Sequence, residues 1–328
     1  MTNETGSINQ TSDGFQPSHS PLARLAELHY PRIVWKLLPR AFRDALRETR
    51  GRVVAYLAMR QLPRDKVFEQ SAEDAEASSV LSIIVPVHDA PEVTERCLKS
   101  LERYAPNAEV ILVDDGSKLE ETRTLLDSFA ARNGWMLIRH QTPLGHSGAC
   151  AAGSGAATKP YLCFLNSDTV VTPWSWRPMV EALNGDPRIG AAGPSSSNGG
   201  VQTLNVANIT CFKLNDSQIC EYARRLFVRS SRMAPIDIPW LCGFALFTRR
   251  SFWEQIGGFD PLLVDYGNDY EISRRILESG YRLVWVRSAY IHHFGHTSYK
   301  RTLGEKSIHS RTQVAHEYIE QKYMSNRV

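Results

Sequence analysis

No window of this 328-residue chain approaches the roughly 18 uninterrupted apolar residues of a membrane-spanning helix, so no span is expected. Residues Met1 to Ser20 lack the basic-then-apolar order of a secretory signal, and a leader of that kind is not expected. An excess of one charge is also missing. The formal balance of +3 is too small to argue for a nucleic-acid partner, and none is expected. The six cysteines, at 97, 150, 163, 211, 220 and 242, include no CxxC pair, the short spacing a structural zinc site requires. Several lie inside apolar runs such as YLCFL and WLCGF, which points to buried, reduced thiols in a cytoplasmic protein. A Walker A loop is absent as well, because Lys159 does not stand in the GK[ST] order.

The chain is long enough to bury a full-sized core, and its 42% hydrophobic content suits a globular protein. Residues 1–21 are rich in Ser, Thr, Asn and Gln and read as a disordered tail. Residues 22–79 read as a basic amphipathic helical extension followed by a linker. Within 22–66, Phe42, Leu46, Val53 and Leu57 share one helical face, and Arg40, Arg43, Arg47 and Arg50 line its flank. Such a helix suits peripheral contact with an anionic membrane surface, at the inner face of the plasma membrane, or packing against the next domain with its arginines in water. The acidic, apolar-poor stretch QSAEDAEASS (70–79) reads as the linker.

From Leu81 the pattern becomes short apolar runs alternating with helical segments. LSIIVPV (81–87), AEVILV (108–113), WMLIR (135–139) and YLCFL (161–165) read as buried strands. Asp89 and Pro91 open a helix with Val93, Cys97, Leu98 and Leu101 on its inner side. This rhythm predicts one α/β domain over 80–300, with a mostly parallel central sheet covered by helices on both faces. Residues 301–328 form the remainder, with a terminal helix expected over 308–325.

In such sheets ligands sit at the carboxyl ends of the strands. His88-Asp89 follow the first strand, Asp114-Asp115-Gly116-Ser117 the second, and Asn166-Ser167-Asp168 the fourth. One strand-end Asp is most often a helix cap; three at one edge point to a site. Before the fourth strand, GHSGACAAGSGAA (145–157) is nearly all small residues. Such a helix start lets a phosphate approach its N–H groups, or else packs tightly on the sheet. Further on, Asp269 and Glu271 open a helix that Gly280 ends. The strand YRLVWV (281–286) is followed by YIHHFGHTS, whose histidines beside acidic strand ends are compatible with a metal. PSSSNGG (194–200) reads as a flexible loop, and NDSQICEYARRLFVRSSRMAP as a helix with a basic end. Trp174, Trp176 and Trp240 are read as core indoles, with sugar stacking as the alternative.

Seven segments then occur in a recognisable order: SIIVPVHD, VILVDDGS, PLGHSGACAAG, FLNSDTVVTP, GFALFTRRSFWEQIGGFD, YGNDYEISRRILESGYRLVWV and HHFGHTS. Over residues 80–300 the chain resembles glycosyltransferase family 2, which has the Rossmann-like GT-A fold, and within it the bacterial rhamnosyl- and galactofuranosyl-type polysaccharide enzymes. The resemblance implies an inverting enzyme that moves a sugar from a nucleoside-diphosphate sugar to a hydroxyl of a glycan or lipid-linked acceptor in cell-surface polysaccharide synthesis. It implies a nucleotide-sugar pocket built by Pro86, Asp114, Asp115, Gly145 and Asn166. NSD stands where the family carries its DxD signature, so Asp168 is the implied ligand of Mn²⁺ or Mg²⁺. His293, five residues before Ser298, is the implied metal partner, with His292 as the fallback. In GNDYE, Asp269 is the implied base, with Glu271 as the second candidate.

Three positions depart from the family pattern: Asn166 at the first DxD position, Asn268 for the usual Glu before the base, and Ala151 for a frequent Asn. The alternative they favour is a catalytically silent member that binds a nucleotide sugar or glycan as a scaffold. A nucleotidyltransferase would need a Gly-rich basic loop after the first strand, and HDAPEVTERC has none.

Overall fold

The computed structural model describes residues 72–204, 214–295 and 297–324, with side chains from 310 onward in the last helix. The tail and the basic helix expected over 22–66 lie outside the described residues. Eight strands form one sheet in the order β3-β2-β1-β4-β8-β6-β9-β7. They are β1 (Leu81–Val87), β2 (Glu109–Asp114), β3 (Met136–Arg139), β4 (Tyr161–Leu165), β6 (Ile189–Ser195), β7 (Ile236–Asp237), β8 (Ala245–Arg249) and β9 (Arg282–Tyr290). β1 pairs in parallel with β2 and β4, β2 with β3, and β6 with β9, whereas β8 and β7 run antiparallel to their neighbours. The expectation of a mostly parallel sheet therefore holds.

The apolar runs become strands because both faces of the sheet are covered. On one side Leu81, Ile83, Val85 and Val87 of β1 join the core formed with α2 (Pro91–Tyr104), α3 (Glu120–Asn133) and α5 (Arg177–Gly185). On the other, Ile84 of β1 meets α4 (Gly145–Ala156), α7 (Arg250–Ile256) and α8 (Asn268–Glu278). A buried Leu or Ile side chain contributes about 1.5–3 kcal/mol, so contiguous runs of them fix the strands more firmly than local propensity does. The small residues of α4 serve close packing. A Cβ on Gly153 would stand 2.3 Å from Ile84 Cγ2 and 3.2 Å from Val113. α6 (Asp216–Ser230) closes another edge and opens with a capping box between Asn215 and Gln218.

Three local expectations are corrected. The stretch read as a linker contains α1 (Ala72–Ser78), whose buried Asp74 accepts from the Arg177 N–H at the start of α5. Ala and Glu are strong helix formers, and here packing makes use of that propensity. PSSSNGG is not a flexible loop: Ser195, Ser196 and Ser197 are buried, and Gln202 closes the turn by donating to the Pro194 carbonyl. The terminal helix α9 runs from Thr297 to Met324, longer than the expected 308–325. Trp174 and Trp176 are core residues, and Trp176 donates to the Tyr104 carbonyl. Trp240 packs over Gly200.

A two-stranded ribbon finishes the frame. β5 (Thr169–Val170) pairs antiparallel with β10 (His292–His293), setting His293 opposite Thr169. Because β8 is antiparallel to β4, its leading residues Cys242–Phe244 arrive at the same sheet edge as the carboxyl ends of β1, β2 and β4. Asn166 N–H donates to the Phe244 carbonyl there at 2.9 Å.

Candidate functional site

At that edge lies an open cleft. Pro86 and His88 line it from β1, Asp115 from β2, Asn166 to Asp168 from β4, and Cys242 to Phe244 from the lead into β8. Asp265 to Asp269 line it as well, and His293 comes from the ribbon. Of the residues expected to meet a donor or a metal, Pro86, Asp115, Asn166, Asp168, Asp269 and His293 share this cleft.

Asp168 and His293 lie side by side. His293 Nε2 stands 3.2 Å from Asp168 Oδ1, and both side chains are buried. On the other side of the ring, Nδ1 lies 2.6 Å from the Asn198 carbonyl. A carbonyl only accepts, so Nδ1 carries the proton and Nε2 is the nitrogen directed at Asp168. That tautomer, fixed by a backbone carbonyl, is the usual preparation of a metal-ligating histidine. Burial pulls the His293 pKa down, but the Asp168 charge and the hydrogen bonds outweigh it and the net shift is upward. Phe244 stacks on the ring at 5.2 Å and 17°. Among the described residues no group of three His, Cys, Asp or Glu side chains converges to hold a metal. The pair suits an oxygen- and nitrogen-binding divalent ion whose other positions are filled by water or phosphate oxygens.

Asp269 stands in the first turn of α8. Its Oδ2 accepts the Gly243 N–H at 3.1 Å and its Oδ1 the Tyr270 N–H at 2.9 Å. Asn268 is buried beside it, accepting from Asp269 N–H and donating to Ser147 Oγ. The amide thus occupies a neutral hydrogen-bonding niche without displacing Asp269 from the cleft. Cys242 lies between the two acidic groups: burial first, then the charges of Asp269 and Asp168, push its thiol up to about 12.

Other expected residues are placed elsewhere. Asp114 is buried behind the cleft wall, with Oδ1 accepting from Ser117 N–H and Oδ2 from Arg139. These bonds outweigh burial and lower its pKa, and the expected contact with base or ribose does not follow from this position. Gly145 adopts φ +75° where a Cβ would collide with Val264, and its N–H is given to Asp115 Oδ2. Ser147 N–H goes to the Val264 carbonyl. The N–H groups of Gly145 and Ser147 are thus taken up within the protein, while His146 and Ala149 of this helix line the cleft.

Asp89 turns away to accept from the N–H groups of Lys118 and Leu119. His292, the fallback ligand, is a core residue against Tyr290 and Phe294, and burial drives its pKa to about 3. Glu271, the second candidate base, is fully buried away from the cleft and bonded to Arg275, Lys322 and Tyr323. Asn198, Asp265 and His146 line the cleft but received no role from the sequence. Asn198 and His146 sat inside quoted motifs and Asp265 just before one, yet only their arrival from distant segments reveals them.

The model of the family "Glycosyl transferase family 2" matches residues 82–257. The chain is 28% identical over 230 residues to the O-antigen biosynthesis protein RfbC of Myxococcus xanthus, covering 65% of this chain and 17% of that protein. It is 32% identical over 87 residues to the N-acetylglucosaminyl-diphospho-decaprenol L-rhamnosyltransferase of Mycobacterium tuberculosis (strain ATCC 25618 / H37Rv), 26% of this chain and 28% of that one. The matches thus span less than a third of either relative. Among solved structures, GalNAc-T7 with UDP, GalNAc and Mn²⁺ superposes with a TM-score of 0.52 at 19% identity. That match covers 78% of this chain and 52% of GalNAc-T7 and agrees with a GT-A fold.

Proposed function

Because the chain belongs to glycosyl transferase family 2, we propose that it transfers a sugar from a nucleoside-diphosphate sugar to a hydroxyl of a glycan or lipid-linked acceptor, with inversion, in cell-surface polysaccharide synthesis. The observation that carries this reading is the convergence of these groups in one cleft. The Asp168–His293 pair and Asp269 both line it, linked through Gly243, which donates to Asp269, and Phe244, which stacks on His293. The resemblance of parts of the chain to an O-antigen biosynthesis protein and a rhamnosyltransferase supports the polysaccharide context.

In the proposed reaction Asp269 takes the proton of the acceptor hydroxyl as its oxygen attacks the anomeric carbon. The bond from that carbon to the diphosphate breaks, and the nucleoside diphosphate leaves with the electron pair. A single displacement with one base inverts the anomeric centre. Asp168 and His293 would hold Mn²⁺ or Mg²⁺, whose contribution is Lewis-acid stabilisation of charge on the departing phosphate oxygens. Gly243 N–H keeps the Asp269 carboxylate turned into the cleft. Asp115, fixed by His140 and by the N–H groups of Leu144 and Gly145, shapes the nucleotide end.

The test is a donor panel with purified protein, with and without Mn²⁺, scored for release of nucleoside diphosphate. Turnover of one donor is expected, rising with acceptor and lost in Asp168→Ala. If every donor stays intact beside a suitable acceptor, the enzyme reading fails and a nucleotide-sugar-binding scaffold replaces it. No helix among the described residues is long and apolar enough to cross a membrane. Peripheral membrane contact through residues 22–66 remains part of the proposal.

A further inference from the structure

The terminal helix α9 docks on the segment that leads into Asp269. Arg311 Nη1 donates to Asp265 Oδ2 at 2.5 Å. One turn on, Ala315 and Ile319 close over Gly267, where a Cβ would come within 3.2 and 3.0 Å of them and φ is +78°. Tyr318 Oη then donates to Asp260 Oδ2 at 2.9 Å. Lys322 Nζ finally bridges two carboxylates, 2.6 Å from Asp260 Oδ2 and 2.7 Å from Glu271 Oε1. Tyr323 Oη adds a second bond to Glu271 Oε1 at 3.0 Å, and Arg275 occupies Oε2 at 2.7 Å.

These contacts are not spread evenly over the body. Asp260 and Glu271 are the two ends of one stretch, and the cleft-lining residues Asp265 to Asp269 lie between them. A single ammonium group therefore closes this stretch at its base. Glu271 is fully buried, and a buried carboxyl group is costly unless it is paired and hydrogen-bonded. Its partners on α9 are what make that position tenable. Glu271 also belongs to the first turn of α8, its N–H donating to the Gly267 carbonyl at 2.8 Å, so fixing Glu271 fixes the turn that presents Asp269.

We propose that Lys322 is a positioning residue for sugar transfer: by holding Asp260 and Glu271 together it sets where Asp269 stands against the acceptor hydroxyl. The inference rests on Asp269 being the base. It assigns the part of α9 from Arg311 to Tyr323 to the acceptor half of the site.

The test uses the full chain carrying Lys322→Met or Lys322→Arg. Binding of whichever of UDP, dTDP and GDP the wild type recognises counts the folded sites. Per such site, Lys322→Met should transfer at least tenfold more slowly, with nucleotide Kd within twofold of wild type. Lys322→Arg, which keeps the charge, should recover the rate to within threefold. Amide hydrogen exchange should accelerate over 260–271 in Lys322→Met and stay unchanged in β1, β2 and β4. A rate loss that vanishes once folded sites are counted marks a merely structural role and overturns the proposal, as does unchanged exchange over 260–271. If Lys322→Met does not fold, Arg311→Ala loosens the same stretch through its exposed contact. A normal rate per site together with normal exchange there is equally fatal. Should the wild type turn over no donor, the function reading fails separately, and exchange alone decides whether Lys322 holds the segment.

Discussion

Replacing Asp269 with Asn should separate binding from chemistry. Asp269 accepts two backbone N–H groups, from Gly243 at 3.1 Å and Tyr270 at 2.9 Å, one on each carboxylate oxygen. An amide can present its oxygen to only one of them, so one bond is lost and an NH₂ faces an N–H. That costs about 1–3 kcal/mol of stability, against the roughly 5–15 kcal/mol typical of a folded domain, and the variant stays folded. The proton acceptor is lost completely. General-base catalysis contributes about 10²- to 10⁴-fold, or about 2.7–5.4 kcal/mol of barrier. Nucleoside-diphosphate release with saturating donor and acceptor should therefore fall by two to four orders of magnitude. Nucleotide binding, followed by thermal shift, should hardly change, because Asp168, His293 and Asp115 are untouched. Transfer within tenfold of wild type would refute the assignment. It would not move the base to Glu271, whose carboxylate is buried under α9; Asp265 would be the next group to test.

His293→Ala should raise the Mn²⁺ needed for half-maximal activity by at least about tenfold, the lower end of what even indirect disturbance of a metal ligand costs; an unchanged Mn²⁺ titration would remove His293 from the metal site. Gly153→Val places a branched side chain where a Cβ already lies 2.3 Å from Ile84. Overpacking of about 1–3 kcal/mol should lower the melting temperature by roughly 2–12 °C, and a melt matching wild type would contradict the close α4–β1 contact.

His292 is buried neutral with its pKa lowered to about 3. The unfolded chain therefore takes up a proton near pH 6.5 that the folded chain refuses. The stability this residue confers is complete above about pH 6.5 and is lost as pH falls toward 3. Denaturant titrations at pH 7 and pH 5 should show a smaller stability drop in His292→Asn than in wild type, and equal drops would place the ring in contact with water.

Much of the frame was legible because one cause acts along contiguous sequence. LSIIVPV and YLCFL match β1 and β4 residue for residue, since an unbroken apolar run between polar ends has one way to be buried on both faces. Asp168 was legible for a related reason, as it ends such a run at the edge where ligands bind. The failures share a different cause. QSAEDAEASS looked like a linker because its polarity was weighed and its helix-forming Ala and Glu were not. PSSSNGG looked mobile because small polar residues are found in loops, yet in this fold they are buried beneath the ribbon that carries His293.

The sequence by itself therefore determined the strands β1 to β4 and β9, the edge at which chemistry gathers, and the residue types available there. Only the tertiary structure decided which of them line the cleft. Asp114 and Asp115 are neighbours, yet Arg139 and Ser117 engage one behind the wall while the other faces the cleft. His292 and His293 are neighbours, and strand alternation sends one into the core and the other to Asp168. Asp269 and Glu271 open the same helix, and a lysine 51 residues beyond Glu271 claims only the second. A carboxylate or an imidazole is available to a substrate only after its hydrogen-bonding capacity has been shared among neighbours in space. Those neighbours come from segments whose convergence is fixed by packing and carries no signal in the local pattern.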